Sequence, residues 1–356
     1  MSINTKEQLR THIHKIHNLI RNSGAGYGLD ALKIFNFFYG LKVLEPFWDE
    51  YGLESARFSK LVEMAKKDKD IYLIVGDLGF NLVEPFQKLF PDRFINAGIA
   101  EQNMIGVAAG LALSGKKVFV YSIIPFLTMR AFEQIRNDLC YQKLNVVLVG
   151  YGAGFTYGTA GSSHHALCDI SIMRSLPNMT VLSPYDVNQT KMCVKNSLKE
   201  KGPVYIRLGK AGTMMEHHEY GIPKEICLDN SKIVIISTGQ ISDECMDVQT
   251  TLNSQGHNID FVMIHKLKPL STHFLKKYID YDYIITVEEH NIIGGLGSII
   301  AEILAEIDCN AKLIRFGVND EFAHKIGSQK YLRNKYKLDH ESLLKEVLKI
   351  EDIVHK

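Results

Sequence analysis

Short apolar runs alternate with helical patterns along residues 54–211, and this alternation restricts the possible folds more than any other feature of the chain. The run from Ile71 to Gly76 is wholly apolar, which is typical of a strand buried on both faces of a parallel sheet. Further strands are predicted near Lys117–Tyr121, Leu144–Gly150, Thr180–Leu182 and Val204–Leu208. The intervening helices are predicted to begin near Glu101 and to cover Thr128–Tyr141, Ala166–Ser175 and Val187–Lys199. This order predicts right-handed crossovers and a parallel α/β sheet with helices on both faces.

A second, smaller α/β unit is predicted over residues 231–356, since 356 residues are more than one core usually holds. Its predicted strands are Lys232–Ser237, Asp260–Ile264, Tyr283–Glu288 and Ala311–Phe316, and its predicted helices are Ser242–Gln255 and Gly297–Ile307. The polar stretch 212–230 contains Pro223 and is interpreted as a linker. Residues 1–53 are interpreted as a helical N-terminal extension of unknown role.

Charge and composition argue against several classes of protein. The formal net charge is +1, which gives no basic footprint for nucleic acid and no polybasic patch for an anionic membrane. The longest stretch without charged residues, 144–168, is too rich in Gly, Ser, Thr and His to span a bilayer. The six cysteines are scattered without a C-x-x-C pair, and the N-terminus lacks a signal pattern. We therefore expect a cytoplasmic protein with reduced thiols.

The densest functional signal is the segment 98–104, Gly-Ile-Ala-Glu-Gln-Asn-Met, which places Glu101 in the first turn of a small-residue helix. A carboxylate there either complements the helix dipole or has a catalytic role. Asp77 follows the first buried strand, at the strand end where open parallel sheets bind ligands, although Asp also forms turns readily. The adjacent residues His164 and His165 follow a glycine-rich loop. No third ligand has suitable spacing, so no metal site is predicted.

Taken in order, several segments resemble the transketolase family. They are residues 98–104, 121–138, 163–169 and 174–179, followed by Val-Glu-Glu-His at 287–290 and Gly-Gly-Leu-Gly at 294–297. The resemblance covers about residues 54–349 and is shared with 1-deoxyxylulose-5-phosphate synthases. It implies an α/β protein with a parallel-sheet, thiamine-diphosphate pyrimidine-binding domain followed by a smaller, swivel-type C-terminal domain.

The same resemblance implies roles for individual residues. Glu101 would hydrogen-bond the N1′ atom of the cofactor aminopyrimidine and exchange a proton there. Phe126 would stack on the aminopyrimidine ring, with Tyr121 on the same wall. Asp77 is counted among the cofactor-binding residues because of its strand-end position, not because of the resemblance. Core packing remains the alternative for both aromatic residues.

Substrate contacts are implied for four further residues. His164 would contact the donor-sugar hydroxyls and assist proton movement, with His165 beside it, and a structural histidine is the alternative. Arg207, with Lys210 nearby, would bind a substrate phosphate, because guanidinium geometry suits phosphate oxygens. A solvated surface cation is the alternative. Arg130 corresponds to a further substrate contact.

The diphosphate half of the cofactor site has no counterpart in the sequence, which contains no Gly-Asp-Gly. The resemblance therefore implies an N-terminal partner subunit that carries the diphosphate and Mg²⁺ ligands, with two copies of each subunit and self-association of this chain as a dimer. The implied reaction moves a two-carbon ketol unit from a ketose, as its phosphate, to an aldose. The alternatives are a deoxyxylulose-phosphate-synthase-like subunit, a 2-oxoacid dehydrogenase beta-like subunit and a non-catalytic scaffold.

Overall fold

The computed structural model describes residues 48–79, 82–210, 212, 214–215 and 218–354. The chain divides into two compact units, residues 1–52 and 53–356, and the site described below lies in the second. The predicted N-terminal helical extension lies outside the described residues up to residue 47. Helix α1, Trp48–Lys67, begins within the range predicted for that extension and continues beyond residue 53.

The strands of the described part are β1 Ile71–Val75, β2 Phe94–Asn96, β3 Lys117–Ile123, β4 Val146–Tyr151, β5 Thr180–Leu182, β6 Val204–Leu208, β7 Lys224–Ile226, β8 Ile233–Ser237, β9 Ile259–Met263, β10 Lys266–Lys268, β11 Tyr283–Asn291 and β12 Lys312–Val318. They form two sheets, with the orders β10-β5-β6-β4-β3-β1-β2 and β12-β11-β8-β9-β7. Pairing is parallel except at one edge strand of each sheet, β10 and β7. The predicted parallel α/β architecture is confirmed.

The α-helices that follow α1 are α2 Glu84–Leu89, α3 Glu101–Leu113, α4 Asp169–Ser175, α5 Val187–Ser197, α6 Ser242–Ser254, α7 Leu296–Leu304, α8 Gln329–Lys335 and α9 His340–Val354. The helix predicted over 128–141 is instead two π-helical segments, Phe126–Arg130 and Ile135–Tyr141, around a short α-helical turn, Phe132–Gln134. Helix α3 is closed by Gly115, whose φ of +82° gives the left-handed residue of a Schellman cap.

A continuous apolar core joins the two sheets. It includes Ile74 and Val120 of the first sheet, Met104 of α3, and Val234 and Ile284 of the second sheet. Packing of this kind follows from strands that are apolar on both faces, because each face must bury against a helix or the other sheet. A separate cluster covers the opposite face of the first sheet and contains residues of α1 and α5.

Two edge strands depart from the predicted organisation. Strand β7 lies within residues 212–230, the predicted linker, and pairs with β9. Strand β10 belongs in sequence to the predicted second unit, yet it pairs with β5 of the first sheet. Both strands have three residues, so neither is long enough to show an apolar period of its own. The C-terminal part of the chain therefore contributes directly to the sheet that carries the candidate site.

Candidate active site

The candidate site lies where the carboxyl ends of β1, β2 and β3 meet, the edge at which open parallel sheets bind ligands. The turn that leads from β2 into α3 is fixed by Asn96. Its Oδ1 accepts hydrogen bonds from the backbone nitrogens of Asp77 at 3.1 Å and Gly98 at 3.0 Å. Gly98 has a φ of +70°, a conformation that glycine adopts without strain. This turn places Glu101 at the start of α3.

Asp77 forms part of the same turn. Its Oδ1 accepts a hydrogen bond of 2.9 Å from Asn96 Nδ2, its φ is +56°, and its side chain is exposed. Asp77 thereby joins the ends of β1 and β2. These contacts favour the turn-forming alternative over direct contact with the cofactor.

Glu101 is enclosed by protein at this edge, with a side chain that is 0% exposed. Its Oε2 accepts a hydrogen bond of 2.6 Å from Arg130 Nη1. Its Oε1 is buried and has no hydrogen-bond partner in the described part of the chain. A buried acceptor without a partner is costly, so its presence at the carboxyl ends of parallel strands points to a ligand that supplies the missing donor.

Phe126 and Arg130 lie one turn apart on the first π-helical segment, which follows β3. The Arg130 guanidinium carbon is 4.6 Å from the centre of the Phe126 ring, a cation–π contact. The Phe126 ring is half-buried. Segments of π-helix recur at functional sites because the wider turn displaces side chains from ordinary helical positions.

His164 completes the cluster from the loop that follows β4. Its ring meets Phe126 edge-on, with 5.0 Å between ring centres, and lies 6.2 Å from the ring of Tyr157. His164 Nδ1 lies 3.0 Å from Ser163 Oγ. Burial lowers the pKa of His164, so the neutral imidazole is favoured near neutral pH and one ring nitrogen can accept a proton. The structure thus brings Glu101, Phe126, Arg130 and His164 together.

Tyr121 does not join this cluster. Successive residues of a strand point to opposite faces, and Tyr121 packs with Phe119 in the cluster beneath α1 and α5. The neighbouring residue Ser122 points to the face of α3 and is fully buried, and its Oγ has no partner among the described residues. These contacts favour core packing, the alternative for Tyr121, over a place on the cofactor wall.

His165 is also an interior residue, with 5% of its surface exposed. Its Nε2 lies 3.3 Å from the carbonyl oxygen of Gly158, and its ring packs edge-on against Phe155. Burial lowers its pKa as well. Its contacts hold the loop that carries His164, and they favour a structural role for His165 over the predicted substrate contact.

Arg207, predicted to bind a substrate phosphate, is enclosed by protein and is 4% exposed. Its Nε donates to Asp169 Oδ2 at 2.8 Å, and its Nη2 donates to the carbonyl oxygens of Ala166 and Glu289 at 2.9 and 3.1 Å. Tyr205 donates a further hydrogen bond of 2.7 Å to the same Asp169 oxygen. These contacts favour an internal structural role for Arg207 over the predicted phosphate contact, because the guanidinium already pairs with Asp169.

Glu289 ties the same region to the C-terminal part of the chain. It accepts hydrogen bonds from the backbone nitrogen of Phe155 at 2.5 Å and from Nε of Arg333 at 2.5 Å. Its neighbour Glu288 accepts from the first two residues of α7, Leu296 and Gly297, and burial raises the pKa of Glu288 to about 7. The His164 loop is therefore supported from the second sheet.

Sequence reasoning missed Ser122, Tyr157 and Ser163 at this edge. Ser163 stands directly before the histidine pair in the sequence, which was a usable signal for a hydroxyl partner of His164. The unpartnered Oγ of Ser122 and the ring contact of Tyr157 depend on strand register and loop conformation. Nothing in the local sequence identifies them.

Two family models match the chain. Residues 55–214 match the pyrimidine binding domain of transketolase, and residues 225–343 match the transketolase C-terminal domain. A putative transketolase C-terminal section from Methanocaldococcus jannaschii is 40% identical over 304 residues, which cover 83% of this chain and 95% of that protein. The chain belongs to the transketolase family.

Other members of the transketolase family are also similar to this chain. An apulose-4-phosphate transketolase subunit from Actinobacillus succinogenes is 35% identical, over 82% of this chain and 96% of that protein. A solved structure described as a split gene transketolase, an inactive beta4 tetramer, is 36% identical with a TM-score of 0.71, over 83% of this chain and 96% of that one. A 1-deoxy-D-xylulose-5-phosphate synthase from Caldanaerobacter subterraneus is 35% identical over 81% of this chain, which matches 47% of that synthase.

The residues of the site fit the aminopyrimidine half of thiamine diphosphate, the cofactor that membership of the transketolase family implies. The unpartnered Glu101 Oε1 offers a buried acceptor, and the half-buried Phe126 ring offers a stacking surface beside it. Within the described ranges, no group of three or more His, Cys, Asp or Glu side chains is placed to hold a metal ion. None of the helices in those ranges combines the length and apolar character needed to cross a bilayer.

Proposed function

We propose that this chain is the C-terminal subunit of a two-subunit, thiamine-diphosphate-dependent transketolase-like enzyme. The enzyme transfers a two-carbon ketol unit from a ketose, as its phosphate, to an aldose. The observation that carries the proposal is the buried, unpartnered Oε1 of Glu101, at the carboxyl edge of the sheet that also carries Phe126 and His164. A chain without a ligand at this edge would gain nothing from a buried acceptor of this kind.

Each residue of the cluster has a defined task in this proposal. Glu101 holds a proton at N1′ of the aminopyrimidine, and Phe126 packs against the face of that ring. The bound cofactor supplies a nucleophilic carbon that also stabilises the electron pair released when the donor carbon–carbon bond breaks. His164, whose lowered pKa favours the neutral ring, accepts a hydrogen bond or a proton from a donor hydroxyl.

Lys210 replaces Arg207 as the proposed phosphate contact. Lys210 lies just beyond the end of β6 at the same edge of the sheet, and its side chain is partly exposed, whereas Arg207 is enclosed. An ammonium group at such an edge suits a phosphate as a point charge. Like Glu101 after β2 and Phe126 after β3, Lys210 lies just beyond the carboxyl end of a parallel strand.

A partner subunit follows from the proposed chemistry. The sequence contains no Gly-Asp-Gly, and the similar proteins are described as a C-terminal section and as one subunit of a transketolase. We propose that an N-terminal subunit supplies the ligands for the diphosphate and for Mg²⁺. Two copies of each subunit, with this chain self-associating as a dimer, would form a cytoplasmic heterotetramer whose cofactor lies between unlike subunits.

A deoxyxylulose-phosphate-synthase-like reaction is the second candidate, supported by the 35% identity to such a synthase. That reaction releases carbon dioxide from an oxoacid donor, whereas ketol transfer releases an aldehyde from a ketose. The position of His164 against Phe126 favours a polyhydroxylated donor, because the imidazole adds a hydrogen-bonding group beside the stacking surface. A 2-oxoacid dehydrogenase beta-like subunit and a scaffold are less well supported by this arrangement.

The test is reconstitution of the chain with a candidate subunit that carries Gly-Asp-Gly, in the presence of thiamine diphosphate and Mg²⁺. We expect the mixture to convert a ketose phosphate and an aldose into a new ketose and an aldehyde, without release of carbon dioxide, and each subunit alone to be inactive. Carbon dioxide release from pyruvate with a triose phosphate acceptor would instead identify the synthase-like reaction. Inactivity of the cofactor-loaded mixture with every donor would support the scaffold.

A further inference from the structure

Arg130 contacts both the Phe126 ring and the Glu101 carboxylate, as a planar ligand bound at this site would. Its guanidinium carbon lies 4.6 Å from the centre of the Phe126 ring, and its Nη1 lies 2.6 Å from Glu101 Oε2. A planar, delocalised group with N–H donors thus covers the aromatic ring and hydrogen-bonds the buried carboxylate at the same time. The proposed function assigns contacts of the same two kinds to the aminopyrimidine ring, which would stack on Phe126 and hydrogen-bond the Glu101 carboxyl group through Oε1.

We propose that Arg130 is a placeholder, which holds the position of the aminopyrimidine ring in the unassembled subunit and is displaced when the cofactor binds. This inference rests on the proposed function, because it identifies the cofactor as the group that displaces Arg130. It also revises the sequence-based prediction for Arg130. In this proposal Arg130 is a positioning residue for Glu101 and not a substrate contact.

The burial of the two partners is unequal, and this explains why such a residue is useful. The Glu101 side chain is 0% exposed and the Arg130 side chain is 44% exposed. A buried carboxylate without a cation or a hydrogen-bond donor destabilises the fold, and Arg130 offsets that cost in the isolated subunit. Arg130 can return to water at small cost because its long side chain already reaches solvent.

The chemistry of arginine also argues for displacement. A guanidinium has five donors and no acceptor, and it stays protonated, so it cannot exchange a proton with Glu101. The proposed role of Glu101 requires exchange with a ring nitrogen that has a lone pair. If Arg130 instead remained in place and steadied Glu101 through Oε2, the cofactor would bind through Oε1 alone. The two arrangements predict opposite effects of removing Arg130 on cofactor affinity.

Arg130→Ala is therefore expected to strengthen binding of thiamine diphosphate by the assembled two-subunit protein. In the wild type, only molecules in which Arg130 has moved away from Glu101 can bind thiamine diphosphate. A half-exposed ion pair between the two residues lowers the fraction of such molecules about fivefold. We expect a dissociation constant about fivefold lower than that of wild type in calorimetric titrations with Mg²⁺ present. Arg136→Ala is the matched control, because exposed Arg136 lies on the same helical stretch and bonds Asn137 rather than Glu101. The control should bind like wild type.

Equal or weaker binding by Arg130→Ala, with wild type binding normally, would overturn displacement while leaving the proposed function intact. Failure of the assembled wild type to bind thiamine diphosphate would overturn both. A second measurement tests the ion pair without partner or cofactor, by denaturant unfolding of the full chain. Arg130→Ala should raise the unfolding equilibrium constant about fivefold when Glu101 is present and leave it unchanged beside Glu101→Gln. Equal effects in both backgrounds would contradict the placeholder.

Discussion

Glu101→Gln is expected to lower ketol transfer by the assembled enzyme about 10³-fold while the fold and the subunit assembly are retained. The amide has the shape of the carboxyl group and can still hydrogen-bond a ring nitrogen, but it cannot exchange a proton at N1′. Because the Glu101 side chain is 0% exposed, water cannot readily take over that role. Steady-state turnover, with the unfolding midpoint and the assembled mass as checks on structure, measures the effect.

Glu133→Gln is the matched control for this variant. Glu133 is exposed on the neighbouring helical stretch and accepts a hydrogen bond from Asn137, so the same chemical change there should leave turnover within a factor of about two. Turnover of Glu101→Gln at the level of the control would remove Glu101 from the mechanism. A normal rate would leave the buried Oε1 without a functional explanation.

Arg207→Met is expected to destabilise the chain by about 3–5 kcal/mol, the usual cost of removing one partner from a buried ion pair. The variant leaves Asp169, whose side chain is 0% exposed, with only the Tyr205 hydroxyl on its Oδ2. It also removes donors from the carbonyl oxygens of Ala166 and Glu289. Methionine fills most of the volume that the arginine side chain leaves. The loss of stability therefore measures the lost charge and hydrogen bonds rather than the cost of a large cavity.

Denaturant unfolding of the full chain measures this loss, and Arg207→Met with Asp169→Asn is the matched comparison. Neutralising both partners removes the uncompensated charge, so the double variant should regain at least half of the lost stability. The remaining folded Arg207→Met enzyme should show the same ratio of KM values for phosphorylated and unphosphorylated donors as wild type. A selective rise in KM for phosphorylated donors, with little loss of stability, would restore the phosphate role that the sequence suggested.

The sequence predicted the long, strongly patterned elements of the fold well. Strand β1 and helix α3 were located because an unbroken apolar run and a small-residue helix are visible without any knowledge of the tertiary structure. Strands β2, β7 and β10 were missed, because each is short, and β7 and β10 contain lysine or glutamate rather than an apolar run. The π-helical turns after β3 have no simple sequence signature either.

Glu101 and Phe126 were predicted as site residues from the resemblance to transketolases, not from strand positions, since strand β2 before Glu101 was missed. The structure places both beyond the carboxyl ends of neighbouring parallel strands. Tyr121 and Arg207 lie within strands, where the alternating faces and partners distant in sequence decide the environment. Arg207 meets Asp169 across 38 residues of sequence, which no local pattern reveals. The difference between His164 and His165 depends on which way one loop turns.

Cofactor binding tests the central claim most directly. Thiamine diphosphate and Mg²⁺ should be titrated calorimetrically into this chain alone, into the candidate Gly-Asp-Gly subunit alone and into their mixture. The account predicts saturable binding by the mixture, with one cofactor for each copy of this chain, and much weaker binding by either subunit separately. Absence of binding by an assembled mixture would contradict the account and leave a scaffold as the better explanation.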